Sequence, residues 1–456
     1  MSAQTNRLPN EQEFQRGLRS RQARGTLWSR LFFAANFFGL FMLIILVLHI
    51  LNQSFGLVII RNNVEPATLS ETPLEDLNRE QLARILVSNL GNASRAILRD
   101  SLSIVPVEQF TTVPLDEALG DAVLPPGARS QTIGQVDNEI LISILAANFS
   151  QDDLYAFVVD RIVQPRVERS WRLLDSIFSR SEIEAVAATE EFANDRLEFR
   201  AWLNLDFITS SASSSATTTG LRTALLGSFW IIGITILVAF PLGVAAAIYL
   251  EEYATDNWVN RLIEINLRNL AAVPSIIYGM LGLAVFVRIL VYLTSGRFTG
   301  LNDTNGRTVL SAAFTLALLI LPVIIVNARE AIRAVPPSIR EASFGLGATR
   351  WQTVSRQVLP AAVPGILTGV ILAMSRAVGE TAPLIVVGAS TFLGTDPNGP
   401  FSKFTVVPIQ IFQWTSEAQP EFKLAAAAAI IVLLVLMLTL NATAIIIRNR
   451  FSRRLF

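Results

Sequence analysis

Apolar residues along this chain gather in blocks, and six blocks are long enough to cross a bilayer: Leu31–Leu51, Leu225–Leu250, Ala271–Leu293, Val309–Val326, Ala362–Ala389 and Leu424–Ile447. At about 1.5 Å per helical residue each matches a hydrocarbon core about 30 Å thick. The pattern predicts an all-α polytopic membrane protein with six transmembrane helices. No small-residue cleavage site follows the first block, which therefore reads as an uncleaved anchor and not as a removed signal peptide.

Between the first two blocks lies a polar insertion of roughly 160 residues, long enough for a domain of its own, mainly helical or α+β. Thr72-Pro-Leu-Glu75 has the form of a capping box with proline at the first helical position. Leu77, Leu82, Ile85, Leu86 and Leu90 then recur at helical spacing and predict an amphipathic helix. Pro125-Pro126-Gly127 reads as a turn, and Tyr155–Phe178 is again helix-like. The Ser/Thr-rich run Thr209–Thr219 reads as a flexible linker back to the membrane. The expected organisation is a tail (1–30), an anchor (31–51), an outer domain (52–208), the linker (209–219), a five-helix core (220–448) and a basic tail (449–456).

Composition agrees with a membrane chain: 51% hydrophobic, 16% charged, mean hydropathy +0.46. Net charge is zero, but its distribution is uneven. Residues 61–206 hold 24 acidic against 13 basic side chains, a balance of −11, so the remainder carries +11. Arginine and lysine concentrate in cytoplasmic segments of membrane proteins. With the N-terminus inside, the cytoplasmic segments are 1–30 (+4), 251–270 (−2), 328–360 (+3) and 448–456 (+4). Both termini are thus expected in the cytoplasm and the insertion outside. Glu251-Glu252 reads as a solvated cytoplasmic face. Cysteine is absent, and His49 is the only histidine, so neither disulfides nor a Cys/His metal site is available. No cofactor and no nucleic-acid partner is expected.

The most informative polar stretch is Glu341-Ala-Ser-Phe-Gly-Leu-Gly347, followed by Val358-Leu-Pro360. Pro336-Pro337 stops the preceding helix, because proline lacks the donor and clashes with the previous turn. Ser338 is placed to cap a short helix carrying Glu341, Ala342 and Ser343. Gly345 and Gly347 permit a sharp turn, and Trp351, Val354 and Val358 resume helical spacing.

Here the chain resembles the phosphate-specific ABC-transporter permeases of the PstA type. The resemblance rests on Leu250–Ala254 (LEEYA), Leu262–Leu270 (LIEINLRNL), Val273–Gly279 (VPSIIYG), Ala331–Pro336 (AIRAVP), Glu341–Thr353 and Arg376–Pro383 (RAVGETAP), in order, within about residues 220–456. It implies a type I ABC-importer permease core whose loop 336–360 is a helix-turn-helix coupling loop for a separate ATPase. Glu341, Ala342, Ser343, Gly347, Leu359 and Pro360 would form it. Gln357 stands where the general permease motif has isoleucine. The resemblance further implies an inner-membrane location, cytoplasmic ATPase subunits, a second homologous permease chain and an extracytoplasmic phosphate-binding protein. It says nothing of the role of the insertion.

Arg376 and Glu380 lie four residues apart within the fifth block. A lone charge at the centre of a membrane helix costs about 2.5 kcal/mol or more, so the two must pair, face water or meet a partner. A guanidinium offers forked donors to a phosphate anion and stays charged. Arg376 and Glu380 are the candidate substrate pathway, opposed by the reading of a purely structural ion pair; Arg329, at the inner end of the fourth block, is a weaker candidate. No G-x-x-x-x-G-K-[ST] is present, so ATP is not bound here by a P-loop, and the chain reads as a permease subunit and not as an enzyme. Two rivals remain: an ion-coupled secondary carrier, which would need inverted repeats, and a membrane-anchored sensor, for which one or two spans would suffice.

Overall fold

The computed structural model describes residues 11–452 except 104, 106–109, 121, 193–194, 214, 300–304, 391–392 and 394–395. The outer parts of the two expected tails, 1–10 and 453–456, lie outside the described residues.

The first helix, α1, runs over Glu11–Gln53, 43 residues, well beyond the predicted anchor. Its polar half is rich in Arg, Gln, Glu and Leu, all good helix formers, so nothing stops the helix at the end of the apolar block. None of its most apolar window is buried by the rest of the chain.

The insertion has two lobes. Strand β1 (Phe55–Arg61) follows α1 directly. A helical lobe comes next, built from α2 (Arg79–Leu90), α3 (Asn138–Asn148) and α4 (Gln151–Val158). Its core packs Leu82, Leu86, Leu115, Leu141, Leu145 and Leu154, all fully buried. The capping box sits at Asn78 and Gln81, not at Thr72 and Glu75. The hydroxyls of Ser70 and Thr72 bond to each other, and Leu74–Asp76 forms only a 3-10 turn, leaving Leu77 outside the helix. The expected turn after Pro125 is present, closed by the Ala128 N–H on the Pro125 carbonyl.

The predicted helix over Tyr155–Phe178 breaks at Pro165. Beyond it the chain forms β2 (Arg166–Ser170) and then a short helix, α5 (Leu173–Phe178). Strand β3 (Arg196–Ala201) completes an antiparallel sheet of order β2-β1-β3. Central β1 pairs Val58 with Ser170 on one side and with Glu198 on the other. The insertion is therefore α+β. The described residues of the run Thr209–Thr219 are packed, in contrast to the expected flexible linker. Ala212 and Ala216 are buried, the Ser213 hydroxyl and the Ser215 N–H bond the Asp160 carboxylate, and Arg200 donates to the Thr217 carbonyl. Small residues fit the crevice, and the hydroxyls satisfy polar groups that the crevice encloses.

The membrane core begins with α6 (Arg222–Ile248). Thr223, Gly227, Ile231, Thr235, Ala239, Gly243 and Ala247 are all buried, one every four residues. This stripe lets α6 lie close against α9 (Val309–Arg333), as small residues do at helix interfaces in lipid. A β-carbon on Gly243 would come within 2.6 Å of the Ile324 side chain. Between these helices lie α7 (Trp258–Ala271) and α8 (Ser275–Gly282), the latter continuing as a wider turn to Ile289. The expected span over Ala271–Leu293 is present from Ser275 onward, and a bend of 106° at Pro274 separates it from α7. Pro274 has no N–H for the Leu270 carbonyl four residues earlier. That carbonyl instead accepts the Val273 N–H and the Tyr278 hydroxyl, at 3.1 and 2.7 Å.

After α9 come α10 (Pro337–Gly345), α11 (Arg350–Thr353) and α12 (Leu359–Gly379). The expected fifth span, Ala362–Ala389, is also broken. Pro383 leaves the Gly379 carbonyl without a helical donor, Glu380 is extended, and the chain restarts as α13 (Ala382–Val387). Then follow α14 (Val407–Ser416) and α15 (Glu421–Ser452). Five helices are long and apolar enough to span a membrane, and the bent pair raises the number to six, among the described residues. Two-thirds of the apolar window of α9 is buried, against none of α15. The centre of the core is thus α9, with α6 and α12 on it and α1 and α15 at its edge. Where α6, α14 and α15 meet the sheet, Val58, Trp202, Phe207, Trp414 and Phe422 share one cluster, which seats the insertion on that end.

Candidate functional site

The polar loop after α9 is a helix-turn-helix that projects from the core. Helix α10 has no buried residue. Its cap is Pro336 and not Ser338: Pro337 takes the first helical position, which suits its fixed φ, and moves Ser338 inside the helix. Glu341 and Ala342 are exposed, and Ser343 is half-buried, accepting the Thr353 hydroxyl at 3.0 Å. Gly347, at φ +82°, turns the chain in a conformation that costs other residues about 1–2 kcal/mol. Thr349 and Gln352 then form a reciprocal capping box. The tip presents Leu346 at 90% exposure, with Phe344 and Trp351 beside it. Apolar side chains are held out on a polar, hydrogen-bonded turn, and such a surface fits a protein partner.

Leu359 and Pro360 are not on that surface. Both are half-buried at the root of α12, where Leu359 packs on the core cluster that contains Val358. Gln357 is exposed, so its polarity burdens no packed interface.

A set of ion pairs ties the loop to the core. Arg340 on α10 donates to Glu252 at 2.7 and 3.0 Å and to the carbonyls of Val335 and Ile332 at 2.8 and 3.0 Å. Pro336 cannot donate to the Ile332 carbonyl, which accepts Arg340 beside the Val335 N–H at 3.2 Å. Arg333 forms a two-pronged pair with Glu251, both bonds 2.8 Å. Arg329 lies 3.5 Å from Glu251 and 3.6 Å from Glu264. Glu251 and Glu252 are therefore not a solvated face. Their side chains are 15% and 8% exposed, and they join the end of α6 to α9 and α10. The structure places Arg329 in this cluster, away from Arg376 and Glu380. Sequence reasoning passed over Arg333 and Arg340. The signal was the repeat of arginines at 329, 333 and 340 opposite adjacent glutamates.

Arg376 and Glu380 pair at 3.3 Å where α12 ends, with side chains 40% and 21% exposed. The break at Pro383 lies against α8, five residues beyond the bend at Pro274. A β-carbon on Gly279 would stand 2.6 Å from the Pro383 α-carbon, so only glycine lets α8 and α13 come this close. The two broken helices thus meet beside an open charged pair. Its single bond leaves most of the guanidinium's donors available to another group.

A sequence profile described as "Binding-protein-dependent transport system inner membrane component" matches residues 239–456. Among curated proteins, the chain is 38% identical over 213 residues to the probable ABC transporter permease protein YqgI of Bacillus subtilis, covering 46% of this chain and 67% of that one. It is 34% identical to the phosphate transport system permease protein PstA of Haemophilus influenzae, covering 47% and 70%. With PstA of Yersinia pestis it is 33% identical over 50% and 72%. The chain belongs to this permease family. It is a multi-pass inner-membrane ABC permease of the PstA type, and the profile match begins within α6, downstream of the insertion.

Proposed function

We propose that this chain forms part of an importer that carries inorganic phosphate across the inner membrane by alternating access, with ATP hydrolysis in separate subunits. The observation that carries the substrate is the open Arg376–Glu380 pair at the helix break before Pro383, in a chain whose relatives include two phosphate permeases. Arg376 offers the anion its forked donors, and Glu380 holds the guanidinium until the anion arrives. Arg329, held by two carboxylates, serves the cytoplasmic end of the core.

Glu341, Ala342, Ser343 and Gly347, with the apolar tip around Leu346, dock on the ATPase, and Leu359 and Pro360 form the hinge into α12. The loop and both termini lie in the cytoplasm and the insertion outside, following the distribution of arginine. A second, homologous permease covers the exposed side of the core, and a binding protein delivers phosphate. ATP-driven closure of the ATPases favours one arrangement of the spans over the other.

The test is uptake of radiolabelled phosphate into proteoliposomes containing the permease chains and ATPase, with binding protein added. Arg376→Ala is expected to reduce uptake at least tenfold while the complex still purifies intact. Unchanged uptake overturns the pathway role. Uptake by the isolated chain without ATP would instead favour an ion-coupled carrier.

A further inference from the structure

The junction between the insertion and the membrane holds a cavity of about 500 Å³, apart from the docking loop and the Arg376 pair. Its lining includes Gln53 at the end of α1, Trp171 and Arg172 before α5, and Lys423, Leu424 and Ile430 on α15. One wall is polar and cationic, and the other is apolar.

Its height relative to the bilayer follows from α1. Leu48 is 58% exposed on the lipid-facing part of that helix. One turn on, the Asn52 carboxamide oxygen accepts the Leu174 N–H at 2.8 Å. Four residues rise about 6 Å, and the interfacial layer beyond the hydrocarbon core is about 5–7 Å thick on each side. Arg172 and α5 therefore lie in that layer. The helix agrees: Leu174, Ile177 and Phe178 are 51, 60 and 82% exposed on one face, while Ser176 on the opposite face bonds the sheet through the Leu57 N–H. An apolar face with nothing of this chain on it, continuous with the lipid-facing side of α1, belongs at the membrane surface.

Arg172 and Lys423 form no ion pair with any described residue. This is notable beside an insertion with a balance of −11. From Lys423 to Ile430, α15 descends seven residues, about 10 Å, towards the hydrocarbon.

We propose that this cavity binds one anionic phospholipid of the leaflet on the insertion side. The phosphodiester sits between Arg172 and Lys423, and an acyl chain lies along Leu424 and Ile430. A free phosphate ion would use the same two cations but would leave the apolar wall empty, and the wall favours the lipid. The site would fix the insertion to α1 and α15 at a defined height.

The probe is phosphatidylglycerol brominated on its acyl chains, in nanodiscs containing the full-length chain. Trp171 lines the cavity and reports on it. Brominated lipid is expected to quench a fluorescence component that Trp171→Phe removes, and the double variant Arg172→Gln/Lys423→Gln is expected to lose that quenching. Lipid analysis after detergent purification is expected to find about one phosphatidylglycerol per wild-type chain and at least tenfold less in the double variant. Quenching equal in wild type and Trp171→Phe, or unchanged in the double variant, overturns the proposal. So does displacement of the lipid by millimolar inorganic phosphate, which would mark an ion site. Loss of quenching when a second permease chain is added would show that protein, not lipid, covers this face, and would overturn it too.

Discussion

Two arginine–glutamate pairs in this molecule use the same chemistry to opposite ends. Arg376 lies in the last turn of α12 and Glu380 just beyond its end; they touch through a single bond of 3.3 Å and stay partly open. Arg340 and Glu252 come from different elements, bond twice at 2.7 and 3.0 Å, and Glu252 is 8% exposed. The first leaves donors for a visitor. The second spends Arg340's remaining donors on the carbonyls of Val335 and Ile332 at the end of α9, so it locks α10 to the ends of α6 and α9. Exposure and spare donors, not residue type, separate a site from a strut.

The largest expected effect falls on the strut. Arg340→Ala leaves Glu252 buried and unpaired and takes a donor from the Val335 carbonyl, while the Ile332 carbonyl keeps the Val335 N–H; removing one partner of a buried pair costs about 3–5 kcal/mol. Thermal or denaturant unfolding of the purified chain measures it. The paired change Arg340→Met/Glu252→Gln leaves no buried carboxylate behind and should recover more than half of the loss. At the other pair, Arg376→Ala should cost less stability than Arg340→Ala, because Glu380 keeps 21% of its side chain open where Glu252 keeps 8%, while reducing uptake at least tenfold. If both variants destabilise equally, the distinction between site and strut fails.

That distinction was only partly legible in the sequence. The apolar blocks located the membrane core, and Glu341–Gly347 marked the loop, because both signals are local. Arg376 and Glu380 stood out because charge is rare among apolar residues. Arg340 did not, because its role depends on Glu252, 88 positions away, and on where two prolines end α9. The break at Pro383 was overlooked because hydropathy continues across it, and the bend at Pro274 because α7 before it is polar and reads as a loop. Strand β1 escaped for a similar reason. Leu57–Ile60 is a continuous apolar run just after the anchor, and a strand covered on both faces has no alternation to reveal it. The Ser/Thr run at 209–219 misled in the other direction: its composition matches a linker, but Asp160 supplies a partner that composition does not show.

A smaller effect is expected at the turn of the docking loop. Gly347→Ala forces alanine into the left-handed region at about 1–2 kcal/mol. The change touches neither ion pair, so the fold should hold while the tip loses its shape. At 1.4 kcal/mol per decade, affinity for the ATPase should fall about 5–30-fold by titration of ATPase onto permease in nanodiscs. Unaltered affinity would mean that Leu346 and its neighbours dock without the turn.

The smallest effect tests whether the bend beside the open pair is held by its hydrogen bond or by Pro274 alone. Tyr278→Phe removes the donor to the Leu270 carbonyl but keeps the ring, and Val273 N–H still reaches that carbonyl at 3.1 Å. The carbonyl is not orphaned, so the cost should be that of one ordinary hydrogen bond, about 0.5–1.5 kcal/mol, read by unfolding. Uptake should fall no more than a few-fold, because Gly279 against Pro383 still fixes where α8 meets α13. A loss of uptake as deep as that of Arg376→Ala would place the Tyr278 hydroxyl in the pathway itself and redraw the boundary between what binds the anion and what holds the helices apart.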